Sequence, residues 1–155
     1  YFTRFLERFP DVQALAMVPV DEVLGFWSGL GYYRRARHLH QAARYVVDEL
    51  GGRLPTDRAG WAALPGVGAY ASGAIASMAF GEVVPALDAN ANRVLTRWAV
   101  ADPDQLADWS PAALRRLGED LVDPARPGDW NEALMELGAL VCTAAGPSCL
   151  SCPVC

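Results

Sequence analysis

The segment from Leu64 to Gly81 constrains the fold of this chain more than any other. It opens with Leu64-Pro65-Gly66-Val67-Gly68 and continues as a run of mostly small residues. Two glycines around one apolar residue favour a tight hairpin whose backbone N–H groups stay accessible, because no Cβ covers them. Small residues favour a helix that packs closely against its neighbour. We therefore predict two helices joined by a hairpin over residues 56–81. The amides of Gly66, Val67 and Gly68 and the start of the second helix are expected to bind an anion such as a phosphate.

The rest of the chain is also predicted to be helical, which makes the fold class all-α. No segment convincingly alternates apolar and polar residues with period two. The longest predicted helix runs from Arg34 to Leu50 and ends at Gly51-Gly52, while Asp11 and Asp21 are predicted N-caps of two shorter helices. Further helices are predicted at residues 1–9, after Thr56, after Asp88, at 111–121 and at 130–143, with a turn at Asp102-Pro103-Asp104.

The charge balance argues against nucleic acid as a partner, but it does not decide the question. The 155 residues carry a formal charge of -5, whereas nucleic-acid-binding domains are usually basic. Phosphates are also bound by backbone amides and by local basic patches such as Arg34 to His38. No apolar run approaches the roughly 18 residues of a membrane span, and no signal peptide precedes the first helix. We expect a cytoplasmic protein, associated with the nucleoid if it is bacterial.

Asp88 stands immediately before a segment whose predicted apolar face comprises Val94, Leu95, Trp98 and Ala99. An aspartate in this position ordinarily caps the helix. A carboxylate kept ionised by the positive end of a helix also stabilises positive charge that develops nearby during a reaction. The two roles are compatible.

The four cysteines lie between Cys142 and Cys155, separated by six, two and two residues. They are too close together to cross-link distant parts of a secreted protein, so ligation is the better interpretation. Four such thiolates suit one [4Fe–4S] cluster bound by Cys142, Cys149, Cys152 and Cys155. Zinc bound by four cysteines is the alternative. His38 and His40 have no matching ligand spacing and are predicted to be ordinary surface histidines.

Together, these motifs resemble the helix-hairpin-helix DNA glycosylases, and within them the adenine DNA glycosylases of the MutY type. The resemblance extends over essentially the whole chain, through Gly29–Tyr33, Leu64–Ala76, Leu87–Leu95, Asn131–Gly138 and the cysteines. It implies a helix-hairpin-helix glycosylase fold with a C-terminal iron–sulfur cluster loop. Residues 1–155 would be part of the catalytic domain, with the helix-hairpin-helix at 56–81 and the cluster-binding segment at 130–155. The family places five residues between its third and fourth ligands, so Cys155 is either an extra cysteine or a substitute ligand on a shorter loop.

The resemblance also implies which residues perform the chemistry. Asp88 matches the catalytic aspartate of the family, and Asn90 matches its polar partner. Tyr70 stands where relatives similar to endonuclease III have a lysine that attacks the sugar to form a Schiff base. A phenol does not form one, so Tyr70 implies a monofunctional glycosylase that uses water. Judged without the family, Tyr70 is a half-buried aromatic residue at a helix start.

Three further residues are implied to contact DNA. Glu132 matches the residue that recognises the extruded adenine, since a carboxylate accepts a hydrogen bond from the exocyclic amine. Without the family it is a solvated glutamate on a helix. Leu30 and Tyr32 lie in a turn with two glycines and are candidates for a wedge that fills the gap left by an extruded base. Without the family, packing is the more common role for both.

The implied function is removal of adenine mispaired with guanine or oxidised guanine in double-stranded DNA, by a monomer that flips the base into a pocket between two helical lobes. The family's general acid precedes the position of Tyr1, so these 155 residues alone are expected to be inactive or nearly so. Two alternatives stay open: a related glycosylase for damaged pyrimidines, and a non-catalytic DNA-binding module.

Overall fold

The computed structural model describes residues 1–99 and 110–154, and within these ranges the regular elements are helices. This agrees with the predicted all-α class. The predicted turn at Asp102-Pro103-Asp104 lies outside the described residues. In chain order the helices are α1 (Phe2–Arg8), α2 (Val12–Met17), α3 (Val20–Trp27), α4 (Tyr33–Leu50), α5 (Arg58–Ala62), α6 (Ala69–Phe80), α7 (Ala89–Ala99), α8 (Pro111–Leu121) and α9 (Pro127–Leu140), followed by a short 3-10 helix at Cys149–Ser151.

Most helix ends follow from local sequence. Asp11 caps α2, because its Oδ1 accepts a hydrogen bond from the Ala14 N–H at 2.7 Å. The longest helix, α4, ends at Gly51, which adopts the left-handed conformation. The prediction that Asp21 caps a helix is wrong: Pro19 occupies the N-cap position of α3, and Asp21 lies in the first turn, where its charge still favours the helix dipole.

Two other predicted starts differ from the structure. α9 begins earlier than predicted, at Pro127, because proline fits the first position of a helix, where no N–H is needed. α5 begins at Arg58, so Thr56 does not directly precede its first residue. The backbone N–H of Arg58 instead donates to Glu82 Oε2 at 2.5 Å.

The chain divides into two compact units. Unit 1 comprises Tyr1–Thr56 and Gly60–Gly68, and unit 2 comprises Asp57–Ala59 and the residues from Ala69 onward. In unit 1, α4 packs against α2 and α3. Its core contains Phe9, Leu15, Val23, Ala36 and Ala43, with the Phe9 ring 4.8 Å from Phe5 and 5.3 Å from Phe26, measured between centroids.

In unit 2, α9 packs against both α6 and α7, and α8 packs against α7. The core of this unit contains Ala91, Val94, Leu95, Leu114 and Leu134. Apolar side chains from three helices therefore fix the direction of α7, the helix that Asp88 precedes.

Two sequence-based predictions of exposure are wrong. His40 is only 7% exposed, and its Nε2 donates to the Val18 carbonyl at 2.9 Å, so it is a hydrogen-bonded residue of the unit 1 interior rather than a surface histidine. Trp98 is 51% exposed and does not belong to the buried face of α7. None of the helices in the described ranges is long and apolar enough to cross a membrane.

Candidate active site

Asp88 is fixed by hydrogen bonds at the start of α7. Its Oδ1 accepts from the Ala91 N–H at 2.7 Å, and its Oδ2 accepts from Asn90 Nδ2 at 3.3 Å. The side chain is half-buried, so part of the carboxylate stays accessible to a ligand. Two fixed donors and the positive end of α7 stabilise the anion and restrict its orientation. The structure thus places Asp88 and Asn90 in hydrogen-bond contact at the start of α7.

Arg93 connects this carboxylate and its partner to the end of α9. Its Nη2 donates to Asn90 Oδ1 at 2.9 Å and to the Gly138 carbonyl at 2.6 Å, while its Nε donates to the Cys142 carbonyl at 2.9 Å. Asn90 is therefore fixed on both sides, because its amide nitrogen donates to Asp88 and its oxygen accepts from Arg93.

Arg97 lies one helical turn after Arg93 on the same side of α7 and binds the segment that follows α9. Its guanidinium donates to the carbonyls of Thr143 at 2.7 Å and Ala144 at 3.1 Å, and lies 3.4 Å from Cys142 Sγ. Sequence reasoning missed both arginines. The sequence did contain an indication of their role. The two arginines are four positions apart and therefore share one face of the helix, and no aspartate or glutamate lies three or four positions from either of them.

Gly138 allows α9 to approach α7 closely at Asn90. A Cβ built on Gly138 would lie 2.7 Å from Asn90 Cβ and 3.0 Å from the Asn90 carbonyl oxygen. Real Cβ atoms do not come this close to another carbon, so only glycine fits without movement of one helix. The position of Asn90 therefore depends on the absence of a side chain at Gly138.

Tyr70 lies in the first turn of α6 and is 42% exposed. Its hydroxyl donates to Met135 Sδ at 3.2 Å. A thioether is a weak acceptor, so the hydroxyl keeps most of its capacity to bond a stronger partner. The description of Tyr70 as a partly buried aromatic residue at a helix start is correct, and its exposed part is available to a ligand.

Glu132 and its neighbour Asn131 have opposite environments on α9. Glu132 is exposed, and its side chain has no hydrogen bond or ion pair within the described ranges. Asn131 is fully buried: its Oδ1 accepts from the Ala86 N–H at 2.7 Å, and its Nδ2 donates to Ser77 Oγ and the Val84 carbonyl, both at 2.9 Å. Asn131 thus connects α9 to α6 and to the segment before Asp88, a structural role that sequence reasoning did not identify.

The hairpin residues Gly66, Val67 and Gly68 differ in whether the fold already uses their N–H group or the space around their Cα atom. The Val67 N–H donates to the Leu64 carbonyl at 3.1 Å and is therefore used within the turn. Gly66 has a φ of +77°, and a Cβ there would overlap His38, so this glycine is required by the fold. A Cβ on Gly68 would meet nothing within 4 Å. Packing therefore explains why position 66 is a glycine, but it does not explain the glycine at position 68.

The turn before α4 presents Tyr32 to solvent. Tyr32 is 82% exposed and has φ and ψ of 46°, the only positive φ of a non-glycine residue in the described ranges. This conformation costs a tyrosine roughly 1–2 kcal/mol. Trp27 Nε1 fixes the turn by donating to the Gly31 carbonyl at 3.0 Å, and Leu30 is also exposed. A strained backbone that holds an aromatic ring in solvent has no explanation in packing.

Three of the four cysteines lie within the described ranges, and all three carry free thiols. Cys149 begins the short 3-10 helix, which brings the Cys152 N–H within 3.1 Å of the Cys149 carbonyl. Thiols are the donors that an iron–sulfur cluster requires, so the donor chemistry fits such a group. In residues 1–99 and 110–154, no three His, Cys, Asp or Glu side chains are assembled into a metal site. Cys155 lies outside the described residues.

Comparison with known proteins gives consistent matches. The model of the HhH-GPD superfamily of base excision DNA repair proteins matches residues 1–120. The adenine DNA glycosylases of Mus musculus and Homo sapiens are 49% and 48% identical over 99% of this chain. The corresponding enzyme of Mycolicibacterium smegmatis is 39% identical over 99% of it. The chain spans 30%, 28% and 52% of these relatives, respectively.

Solved structures agree with the family match. A thermostable thymine-DNA glycosylase matches with a TM-score of 0.89 and 29% identity, and a trapped endonuclease III–DNA intermediate matches with a TM-score of 0.83 and 25% identity. Each alignment covers 99% of this chain and 70% of the other. The predicted all-α helix-hairpin-helix fold is therefore confirmed, while the C-terminal cluster loop stays a prediction.

Proposed function

Because this chain belongs to the HhH-GPD superfamily of base excision DNA repair proteins, we propose that it is part of a DNA glycosylase that removes adenine mispaired with guanine or oxidised guanine. The observation that carries the proposal is the half-buried Asp88 carboxylate, oriented by Asn90 and by the first turn of α7. The curated adenine DNA glycosylases similar to this chain support adenine as the base.

The reaction is hydrolysis of the bond between the sugar C1′ and adenine N9. As this bond breaks, its electron pair leaves with the base, a proton reaches the base, and positive charge develops on the sugar. Asp88 stabilises that charge until a water molecule adds to C1′ and loses a proton. For this reaction, the chain must supply a negatively charged carboxylate that is held in a fixed orientation.

Tyr70 supports hydrolysis without strand cleavage. A glycosylase that cleaves the strand through a Schiff base needs an amine nucleophile, and lysine is the usual side chain that supplies it. The 155 residues contain no lysine, and Tyr70 presents a hydroxyl that binds only a weak acceptor within unit 2. We therefore assign Tyr70 to hydrogen bonding in the active site of a monofunctional enzyme.

Recognition of DNA is divided among three groups of residues. Glu132, exposed and unpaired within the described ranges, accepts a hydrogen bond from the exocyclic amine of adenine. Gly68, with Gly66 and Val67 completing the hairpin, binds a backbone phosphate. Tyr32, with Leu30 beside it, enters the duplex where the adenine leaves it. The open space at Gly68 and the strained, exposed Tyr32 support the last two roles.

The proposal includes one [4Fe–4S] cluster bound by Cys142, Cys149, Cys152 and a fourth thiol, for which Cys155 is the candidate in this chain. When bound, such a cluster cross-links the segment after α9 through iron–thiolate bonds. Arg97 supports this assignment because it fixes the carbonyls around Cys142 and lies beside its sulfur.

The decisive experiment uses the full-length protein, because these 155 residues alone are expected to release little or no adenine. It measures single-turnover release of adenine from duplexes with adenine opposite guanine or oxidised guanine. Asp88→Asn keeps the cap and removes the charge, so we expect release to slow by roughly 100-fold or more while DNA affinity changes little. Asp11→Asn is the matched control, because Asp11 caps α2 through the same three-residue spacing at the same 2.7 Å. Release near the parent rate by Asp88→Asn would assign Asp88 to capping alone.

A second candidate is supported by the structural similarity to a thymine-DNA glycosylase, with its TM-score of 0.89. A thymine or a damaged pyrimidine would then be the released base. The same assay on duplexes with thymine opposite guanine, or with an oxidised pyrimidine, separates the two. Release of a pyrimidine in place of adenine would favour this candidate; if that base is thymine, Glu132 would have no exocyclic amine to recognise.

A further inference from the structure

A polar cavity of about 230 Å³ lies within unit 2 beside the candidate active site. Two arginines, Arg58 and Arg115, line it together with the neutral polar residues Tyr70 and Asn92. No aspartate or glutamate is among its described lining residues. Two cations without a carboxylate among the described lining residues attract an anion, even though the formal charge of the chain is -5.

The two guanidinium groups are not used elsewhere in the described part of the chain. Neither forms a salt bridge there, and the nearby Glu82 carboxylate accepts from the backbone N–H of Arg58 rather than from its side chain. Other arginines in this part of the chain do have acidic partners: Arg8 with Glu22, Arg44 with Asp48 and Arg126 with Asp129. Among the residues that the structure describes, neither Arg58 nor Arg115 has an acidic partner, and we infer that both bind an anionic ligand.

The neutral groups of the cavity are donors as well. Within the described ranges the Tyr70 hydroxyl donates to the Met135 thioether, a weak acceptor, and Asn92 carries a side-chain amide. The first residues of α6 and α8, Ala69 and Pro111, also line the cavity, so the positive ends of two helices contribute to its potential. Guanidinium, hydroxyl and amide donors together match the oxygens of a phosphate.

We propose that this cavity binds one backbone phosphate of the DNA strand that carries the target nucleotide. The inference rests on the proposed function and deepens it. The cavity volume of about 230 Å³ is below the roughly 300 Å³ typical of pockets for drug-sized molecules. A cavity of this size suits a phosphate group rather than a base. Leu87 lines the cavity and directly precedes Asp88, so a phosphate bound here fixes the strand relative to the carboxylate.

The test compares the salt dependence of duplex binding by the intact protein and its variants. Arg58→Gln combined with Arg115→Gln should weaken binding about tenfold, as expected for loss of charge-assisted hydrogen bonds. It should also reduce the slope of log K against log salt by about 0.9, the value for one phosphate. Both effects should be the same with and without a mispaired adenine, because a phosphate carries no base information.

Arg116→Gln is the matched control, since Arg116 is the next residue on α8 and does not line the cavity. It should leave both quantities unchanged. Lysine at both positions should restore the slope because it restores the charge. Thermal melting of each variant verifies that unit 2 remains folded.

Three results would overturn the inference. Equal affinity and slope for the double glutamine variant, the control and the parent would exclude a DNA phosphate in this cavity while leaving the proposed function intact. Stabilisation of the parent by inorganic phosphate, together with unchanged DNA binding by the double variant, would identify a site for free phosphate instead. Failure of the parent to bind any duplex would reject the proposed function as well.

Discussion

Replacement of the buried Asn131 should destabilise unit 2 more than any exposed substitution on the same helix. Asn131→Ala removes three hydrogen bonds and leaves the Ala86 N–H and the Val84 carbonyl without these partners. Each buried polar group left unsatisfied costs about 1–3 kcal/mol, so the two together predict a loss of about 2–6 kcal/mol. Ser77 Oγ also donates to the Ala74 carbonyl, so its loss adds little. The predicted loss is a large share of the roughly 5–15 kcal/mol that stabilises a typical protein.

Urea unfolding followed by circular dichroism measures this loss as a lower midpoint at unchanged slope. Asn131→Leu fills most of the vacated volume but restores no hydrogen bond, so it should remain destabilised if the polar groups are the cause. Glu132→Ala is the control, and its exposed side chain predicts a change within about 0.5 kcal/mol. A loss below about 1 kcal/mol for Asn131→Ala would refute the reasoning, because it would mean that relaxation or water satisfies both backbone groups.

Three other predictions follow from the described geometry. Gly68→Ala should weaken binding to duplexes of any sequence without lowering stability, whereas Gly66→Ala should destabilise unit 1; equal DNA binding by Gly68→Ala and the parent at fixed salt would make the hairpin purely structural. Tyr32→Gly should unfold at a slightly higher temperature, since glycine tolerates the left-handed conformation, yet in the full-length protein it should release adenine more slowly; Tyr33→Ala is the control, and undiminished release by Tyr32→Gly would exclude a wedge. Protein purified without oxygen should contain about four irons per chain, and Cys149→Ser should lower that content; stoichiometric zinc without iron would show that the cluster assignment is wrong.

Features determined by neighbouring residues could be predicted from the sequence. The end of α4 at Gly51 and the caps at Asp11 and Asp88 depend on hydrogen bonds and dihedral angles within a few residues, and the structure confirms all three. The Asp21 prediction was wrong for a related reason. Proline fits the N-cap position of α3 without a side-chain hydrogen bond, so the first aspartate in the segment did not mark the start of that helix.

Features that depend on distant parts of the chain could not be predicted. Arg93 donates to carbonyls at Gly138 and Cys142, and no local pattern in α7 indicates either contact. Nothing in the local sequence distinguishes Asn131 from an exposed asparagine. Its burial depends on three hydrogen-bond partners that lie far away in the sequence. His40 is also buried because the Val18 carbonyl accepts its hydrogen bond, a pairing that becomes visible only once α4 packs against the turn before α3.

The close contact between Gly138 and Asn90 limits which residues can occupy position 138. Even a methyl group at this position would meet the side chain and the backbone of Asn90, and Asn90 orients the Asp88 carboxylate. A substitution far along the chain from Asp88 would therefore reduce activity while every residue that touches the sugar stayed the same. Inherited changes at such a position would be misjudged if only the residues in contact with DNA were considered.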